Sequence, residues 1–311
     1  MEEFKHIPVL LNEVIDGLKI KKDGIYVDCT IGGGGHSEQI LNRLSSKGHL
    51  YGIDKDEDAL LACKERLKGY ENLTLIHSDY KDAHEILLEK GVESFDGLLI
   101  DLGVSSYQLD TAERGFSFLR EGHLDMRMDK SQGIDAYLVV NNYPREKLLE
   151  ILYKYGEEAN AKRIVDNIIK QREIKPIETT IELKGIIEAS FPKKVIYGKG
   201  GVSKKTFQAI RIEVNGELVG LEEAIEKYIK MLKPGGRMAI ITFHSLEDRI
   251  VKNVFKREAT DCICPPKTPV CICGHKKTIN LVNKKPITAS GSELSLNPRS
   301  SSAKLRIIEK L

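Results

Sequence analysis

Residues 25–36 read IYVDCTIGGGGH, and the rest of the chain is organised around them. The run Ile25-Tyr26-Val27 is rich in β-branched and aromatic residues, which favour a buried strand. Asp28 ends this strand, glycines occupy positions 32–35, and helical spacing of apolar residues follows. A strand, a glycine turn and a helix N-terminus together can cradle a nucleotide, because glycine admits a ligand close to free backbone N–H groups. A plain tight turn is the alternative interpretation.

Strands alternate with helices along the chain after this stretch. Strands are expected at 49–53, 73–77 and 95–102, with helical patterns between them, and a fifth strand is expected at 237–243. Strands that alternate with helices predict a parallel sheet with right-handed crossovers. Two last strands, at 279–282 and 303–308, are expected to form an antiparallel edge pair.

The alternation of strands and helices stops between residues 103 and 201, where only helical patterns occur. We therefore predict three segments. Residues 1–103 form the first part of the α/β domain, residues 104–201 form an inserted all-helical domain, and residues 202–311 complete the α/β domain.

Composition excludes several classes of protein. The chain has 311 residues and a formal net charge of only +2, so a nucleic-acid partner must be met by a local basic patch. The N-terminus lacks the features of a signal peptide, and no apolar run is long enough to span a membrane. Cys29 and Cys63 are isolated, which argues against a disulfide framework. We expect a soluble, cytoplasmic protein without a membrane partner.

Four predicted strands end in an aspartate: Asp28, Asp54, Asp79 and Asp101. The carboxyl ends of parallel strands meet at one edge, where ligands bind in open α/β sheets. Each aspartate alone is explained by a helix cap or a turn, but four together favour a binding site. Asp54 lies about twenty residues past the glycines, where a carboxylate suits ribose hydroxyls.

The glycine pattern distinguishes between cofactors. A dinucleotide fingerprint needs a third glycine, and this chain has Ser37 or Glu38 at that place. The pattern D-x-T-x-G-x-G, from Asp28 to Gly34, instead matches the first motif of methyltransferases that use S-adenosylmethionine, and KPGG at 233–236 is also typical of them.

Over nearly its whole length the chain resembles the small-subunit ribosomal RNA cytosine-N4 methyltransferases, called RsmH or MraW. The segments that carry the resemblance are HIPVLLNEV (6–14), DCTIGGGGHS (28–37), DLGVSSYQLD (101–110), RGFSF (114–118), LDMRMD (124–129), YGEE (155–158), KTFQAIRIEVN (205–215), FHSLEDRIVK (243–252) and NPRSSSAKLR (297–306). The resemblance implies a Rossmann-like class I methyltransferase fold whose inserted helical domain recognises the substrate. It also implies N4-methylation of a specific cytidine in 16S ribosomal RNA, with S-adenosylmethionine as cofactor; a homodimer is left open.

The resemblance also implies the site residues. Those that bind S-adenosylmethionine would be Gly34, Gly35, His36, Asp54, Tyr80, Asp101 and Gln108. The alternatives are a core tyrosine for Tyr80 and an ordinary helix-N-terminal residue for His36.

Two residues are candidates for catalysis. The cytosine amine is a poor nucleophile, so the enzyme must orient it and accept hydrogen bonds from its protons. Asp101 ends the central strand, where amino-methyltransferases usually carry Asp/Asn/Ser-Pro-Pro-aromatic, but here both prolines and the aromatic are absent. His244 is the second candidate, and its alternative role is to cap the following helix. The target base must be unstacked to reach such a pocket.

Two further patterns leave alternatives open. The four cysteines at 262, 264, 271 and 273 form either a tetrahedral zinc site or a reduced, cysteine-rich loop, and we assign no metal ligand from the spacing alone. The second pattern is either a phosphate clamp for RNA or a solvated, mobile loop. Its basic residues are Lys193, Lys194, Lys199, Lys204, Lys205 and Arg211.

Other classes of function remain alternatives to an RNA methyltransferase. One is a methyltransferase that acts on a protein or a small molecule, and the large insertion argues against the smallest substrates. Another is an RNA-binding scaffold without activity, against which the intact glycine loop and Asp54 argue.

Overall fold

The computed structural model describes residues 8–196, 201–265, 268 and 270–311. The chain divides into two compact units, the first comprising Met1–Gly103 with Val219–Leu311 and the second Val104–Leu218. Among the described helices, none combines the length and the apolar character needed to cross a membrane.

The secondary structure is as follows, with elements numbered in chain order. The strands are β1 (Ile25–Asp28), β2 (His49–Asp54), β3 (Leu73–His77), β4 (Phe95–Asp101), β5 (Leu232–Thr242), β6 (Ile279–Leu281) and β7 (Lys304–Lys310). The helices are α1 (Leu11–Leu18), α2 (Gly35–Leu41), α3 (Glu57–Arg66), α4 (Ala83–Glu89), α5 (Ser106–Asp110), α6 (Ala136–Asn142), α7 (Arg145–Lys154), α8 (Ala161–Ile174), α9 (Thr180–Ala189), α10 (Lys193–Ile196), α11 (Lys204–Asn215), α12 (Leu221–Met231), α13 (Ser245–Glu258) and α14 (Gly291–Leu296).

The described strands form one seven-stranded sheet in the first unit, in the order β3-β2-β1-β4-β5-β7-β6. The pairs among β1 to β5 are parallel, and β7 pairs antiparallel with both β5 and β6. The predicted α/β fold with an antiparallel edge pair is therefore confirmed. The order reverses between β1 and β4, and the carboxyl ends of strands at such a switch point form the usual ligand crevice.

Apolar side chains cover both faces of this sheet. One cluster joins Ile53, Ile100 and Met238 to residues of α4, α12 and α13, and Tyr228 is among its fully buried members. The other cluster contains Val14 of α1 and Ile40 of α2 on the opposite face. Both faces of the central strands are thus buried, which explains why β4 reads as a nearly continuous apolar run.

Local backbone features set the starts of α1 and β5. Helix α1 begins at Leu11, because Leu10 adopts a left-handed conformation with φ of 53°. Strand β5 begins at Leu232 rather than at the expected residue 237, and the KPGG segment at residues 233–236 lies within it as an irregularity. Phe95 pairs with Leu232 and Gly97 pairs with Arg237, so four residues of β5 oppose a single residue of β4.

The second unit has its own core, built largely from α6 to α9 and α11. Phe207, Ile210 and Val214 lie on the apolar face of α11 and pack in this core. This unit therefore ends at Leu218, whereas we had predicted that the α/β domain resumes at residue 202. The correction has a simple physical cause, since α11 buries its apolar side chains against helices of the second unit.

Candidate active site

The loop after β1 is tied to the end of β4 at the switch point of the sheet. The hydroxyl oxygen of Thr30 accepts a hydrogen bond from the backbone N–H of Asp101 at 2.7 Å. The backbone N–H of Cys29 donates to the carbonyl oxygen of Leu99 at 2.9 Å. The sequence analysis did not single out Thr30, although it is the fixed threonine of the D-x-T-x-G-x-G pattern. Its role is to set the distance between the glycine loop and Asp101.

Asp28 is buried and stabilises the glycine loop through hydrogen bonds. One carboxylate oxygen accepts the hydroxyl hydrogen of Ser37 at 2.7 Å, and the other accepts the N–H of Thr30 at 3.2 Å. Burial raises the pKa of Asp28 to about 6, against the lowering effect of these two hydrogen bonds. Both oxygens therefore hold the protein itself together, which matches the turn-residue alternative for this aspartate.

The glycine loop is packed on one side and open on the other. Gly32 and Gly34 have positive φ angles of 51° and 77°, which glycine adopts without strain. A Cβ on Gly34 would lie 3.0 Å from Leu67, and one on Gly35 would lie 2.4 Å from Pro8. At Gly33 a Cβ would meet nothing within 4 Å among the described residues. The predicted cofactor residues Gly34 and Gly35 thus let the loop pack closely, while its open side is at Gly33.

Asp54 lies beside the start of this loop. One of its carboxylate oxygens accepts the N–H of Gly32 at 2.8 Å, and the other accepts the N–H of Asp56 at 2.9 Å. Burial raises the pKa of Asp54 to about 6, although both hydrogen bonds favour the ionised form. Each carboxylate oxygen has a second lone pair, so Asp54 can also accept hydrogen bonds from two hydroxyls of a ligand.

His36 and Asp101 face each other across the switch point. The Nε2 atom of His36 lies 2.9 Å from the carbonyl oxygen of Val9, so Nε2 carries the proton of that hydrogen bond. The Nδ1 atom lies 3.8 Å from Oδ2 of Asp101. Oδ1 of Asp101 is buried and accepts no hydrogen bond from the described residues. A buried oxygen of this kind is a natural acceptor for a ligand.

The electrostatic setting of Asp101 is unusual for an aspartate. Burial raises the pKa of Asp101 well above its ordinary value, and the negative charges of Asp28 and Glu247 raise it further. A carboxyl group in this setting takes up a proton more readily than an exposed one. A cation bound nearby would stabilise its ionised form.

Tyr80 follows β3 and is buried in the core of the first unit. Its carbonyl oxygen accepts the hydroxyl hydrogen of Tyr228 on α12, and Nζ of Lys81 lies 6.0 Å from its ring centroid. The packing agrees with the core-tyrosine alternative, while the position at the carboxyl edge agrees with a contact to a ligand. Its role at the adenine therefore stays a prediction.

His244 is the N-cap of α13. Its Nδ1 accepts the backbone N–H of Glu247 at 3.4 Å, and the carboxylate of Glu247 accepts the backbone N–H groups of His244 and Phe243 at 3.2 and 2.8 Å. This reciprocal capping box matches the alternative role of His244 as a cap of the following helix. Sequence reasoning missed the buried Glu247, although an acidic residue three positions after a cap is its usual signature. A catalytic role for His244 stays a prediction.

Gln108 belongs to the second unit, unlike the residues above. It is buried at the third position of α5, where its side-chain oxygen accepts the N–H of Ser105 at 2.9 Å. In return, the hydroxyl oxygen of Ser105 accepts the N–H of Gln108 at 3.2 Å. The structure therefore gives Gln108 a capping role, and its contact with a cofactor stays a prediction.

The basic residues between Lys193 and Arg211 have different environments in the structure. Lys193, Lys194 and Lys204 are exposed, while Lys205 donates to the carbonyl oxygen of Glu157 at 3.0 Å. Residues 197–200, which include Lys199, lie outside the described residues. Arg211 forms two hydrogen bonds of 2.8 Å with the carboxylate of Glu217, which offsets its charge. Any phosphate contact would thus come from the lysines rather than from Arg211.

The carboxyl edge of the first unit offers a distinct set of groups to a ligand. It combines an open glycine loop, a carboxylate that can accept hydroxyls, and a buried carboxyl oxygen without a protein donor. These groups fit a ligand that carries vicinal hydroxyls and a positive charge better than a diphosphate, which the negative charges of these two carboxyl groups would repel.

Comparisons with known proteins show the family to which this chain is similar. A family model described as the MraW methylase family matches residues 3–311. The ribosomal RNA small subunit methyltransferase H of Clostridium botulinum strain 657 is 52% identical over 309 residues, covering 99% of this chain and 100% of that protein. The protein of the same name from strain Kyoto matches to the same extent. The crystal structure of an rRNA methylase from Streptococcus thermophilus matches with a TM-score of 0.42 and 14% identity, over 98% of this chain and 99% of that one.

Proposed function

Because the chain belongs to the MraW methylase family, we propose that it methylates the exocyclic N4 amine of a specific cytidine in 16S ribosomal RNA. S-adenosylmethionine is the cofactor of this methylase. Relatives that are 52% identical over 99% of the chain are named for the RNA of the small ribosomal subunit, which supports the choice of substrate. Ribosomal RNA is then the partner of the enzyme, in the cytoplasm.

The observation that carries the proposal is the group of Asp54, Gly32 and Asp101 at one edge of the sheet. Asp54 is held against the glycine loop through Gly32 and would accept the ribose hydroxyls of the cofactor. His36 and the backbone of residues 34 and 35 would border the methionine part, and Tyr80 would flank the adenine. Gln108 is proposed as a further cofactor-binding residue on the resemblance of its motif alone.

Asp101 would hold the target amine. S-adenosylmethionine, when bound, supplies an electrophilic methyl group and a positive charge. Oδ1 of Asp101 has no donor among the described residues, so it is available to accept an N–H of the cytosine amine. That hydrogen bond orients the amine and places charge density on its nitrogen. The carboxylate can then accept the proton that the amine loses, and its raised pKa favours this transfer.

His244 would position the site without accepting the proton that the amine loses. It caps α13, so it would fix the end of β5 beside the strand that carries Asp101. The inserted helical unit would supply substrate recognition, with Lys204 and Lys205 at the start of α11 as phosphate contacts.

The test is methyl transfer to isolated ribosomal subunits. Small subunits from a strain that lacks this enzyme are incubated with the protein and S-adenosylmethionine labelled in the methyl group. We expect label in the RNA of the small subunit and not of the large one. Asp101→Asn keeps the shape of the side chain but not its charge, and we expect it to slow transfer by about 10²–10⁴-fold. Label recovered in protein, or full activity of Asp101→Asn, would contradict the proposal.

A further inference from the structure

Four cysteine sulfurs converge in the loop that follows α13. The Sγ atoms of Cys262, Cys264, Cys271 and Cys273 all lie within 4.8 Å of one another. Cys271 lies 3.6 Å from Cys262, 3.6 Å from Cys273 and 4.0 Å from Cys264. The sulfurs of Cys262 and Cys273 are 3.9 Å apart. The spacing C-x-C-x₆-C-x-C thus brings four potential ligands to one point.

These separations match a tetrahedron around a single metal ion. Zinc–sulfur bonds of 2.3 Å in tetrahedral geometry place neighbouring sulfurs about 3.8 Å apart. The observed sulfur–sulfur distances of 3.6–4.0 Å lie on both sides of that value. A disulfide would bring two sulfurs to about 2 Å, and all six cysteines of the chain are free. An iron–sulfur cluster would hold its cysteines farther apart, because inorganic sulfur and several irons lie between them.

Apolar packing does not account for the convergence. Three of the four cysteines are exposed, and Cys264 is only partly buried. The apolar side chains of the loop also point to solvent, with Ile263, Val270 and Ile272 exposed by 48%, 73% and 83%. A loop without a core of its own needs another source of order, and structural zinc provides it in many small modules.

A backbone N–H group contacts one of the sulfurs. The N–H of Ile272 donates to Sγ of Cys264 at 3.4 Å. Such a donor stabilises a thiolate and orients it toward a metal. The Nε2 atom of His275 is engaged with the carbonyl oxygen of Arg257 at 2.9 Å, which anchors the loop to α13. His275 is therefore a support and not a fifth ligand.

We infer that Cys262, Cys264, Cys271 and Cys273 bind one Zn²⁺ ion. With four protein ligands the coordination sphere is closed, so the site is structural rather than catalytic. Its position agrees, because the loop follows the C-terminal end of α13 while His244 caps the N-terminal end. The fourteen residues of α13 separate these ends by about 21 Å.

The experiment measures metal in the full chain, expressed and purified without chelator under reducing conditions. Elemental mass spectrometry should find one zinc per chain. Cys262→Ser combined with Cys271→Ser should lose the zinc, whereas the matched control His275→Ala should retain it. When Co²⁺ is added after zinc removal, the wild-type chain should show the visible absorption bands of tetrahedral thiolate coordination.

The affinity for S-adenosylmethionine separates a structural site from a catalytic one. We expect it to be the same for the zinc-loaded and zinc-free proteins, while proteolysis within the loop becomes faster when zinc is removed. A wild-type protein without metal and without the Co²⁺ bands would overturn the inference. So would stoichiometric iron in place of zinc, or zinc retained by the double cysteine variant.

Discussion

Replacement of Asp54 by alanine separates cofactor binding from stability. In the structure its carboxylate accepts two backbone N–H groups, those of Gly32 and Asp56, and we have proposed that it also accepts the ribose hydroxyls. Loss of hydrogen bonds to a charged group weakens binding by about 1.5–3 kcal/mol. The dissociation constant for S-adenosylmethionine should therefore rise by about 10- to 150-fold.

The stability of the unliganded protein should change less. Burial raises the pKa of Asp54 from 3.8 to about 6. This difference of about 2 pKa units corresponds to about 3 kcal/mol, by which the ionised form destabilises the folded state at neutral pH. Alanine removes that cost but leaves the N–H groups of Gly32 and Asp56 without their acceptor, at about 1–3 kcal/mol each. The two effects oppose each other, so the thermal midpoint should move little.

Isothermal titration calorimetry and thermal melting together decide the question. The matched control is Asp56→Ala, which removes a neighbouring carboxylate and the N-cap of α3 but no proposed ribose contact. It should lower stability by about 1 kcal/mol and leave the affinity for the cofactor nearly unchanged. If Asp54→Ala binds S-adenosylmethionine as tightly as the wild type, the ribose assignment is wrong.

Three further outcomes follow from the geometry. As the pH falls through about 6, Asp54 becomes protonated, so affinity for S-adenosylmethionine should decrease, and calorimetry at several pH values should show this decrease. Gly34→Ala should destabilise the fold by about 1–2 kcal/mol in denaturant melts, because its φ is 77° and its Cβ would approach Leu67 to 3.0 Å. Alanine at Lys199, Lys204 and Lys205 should flatten the salt dependence of RNA binding by about one unit of log–log slope per lost contact; an unchanged slope would assign the stretch to a loop.

Much of the fold was accessible from local patterns. Strand β3 was predicted at 73–77 and β1, β2 and β4 to within a residue, because each apolar run ends at a polar residue. The predicted parallel α/β sheet with an antiparallel edge pair is thereby confirmed. Helix α11 shows the limit of such reasoning. Periodicity reveals that Phe207 and Ile210 share an apolar face, but not which core receives that face.

The candidate site shows the same limit at the level of side chains. The motif located Asp54, but its hydrogen bond to Gly32 required the folded chain. His244 carries a pattern that a cap and a proton acceptor share, since both call for a polar residue at the end of a strand. Thr30 and Glu247 act through backbone N–H groups, which sequence patterns do not place in space.

The identity of the methylated nucleoside distinguishes amine methylation from ring methylation of the target cytidine. Small subunits from a strain that lacks the enzyme are methylated with S-adenosylmethionine carrying a deuterated methyl group. The 16S RNA is then digested to nucleosides for mass spectrometry. We expect deuterated N4-methylcytidine, because Oδ1 of Asp101 is available to accept a proton from an amine. Ring methylation needs an activating nucleophile, usually a cysteine, and Cys29 is buried beside the first strand. Deuterated 5-methylcytidine as the sole product would therefore contradict methylation at the N4 amine.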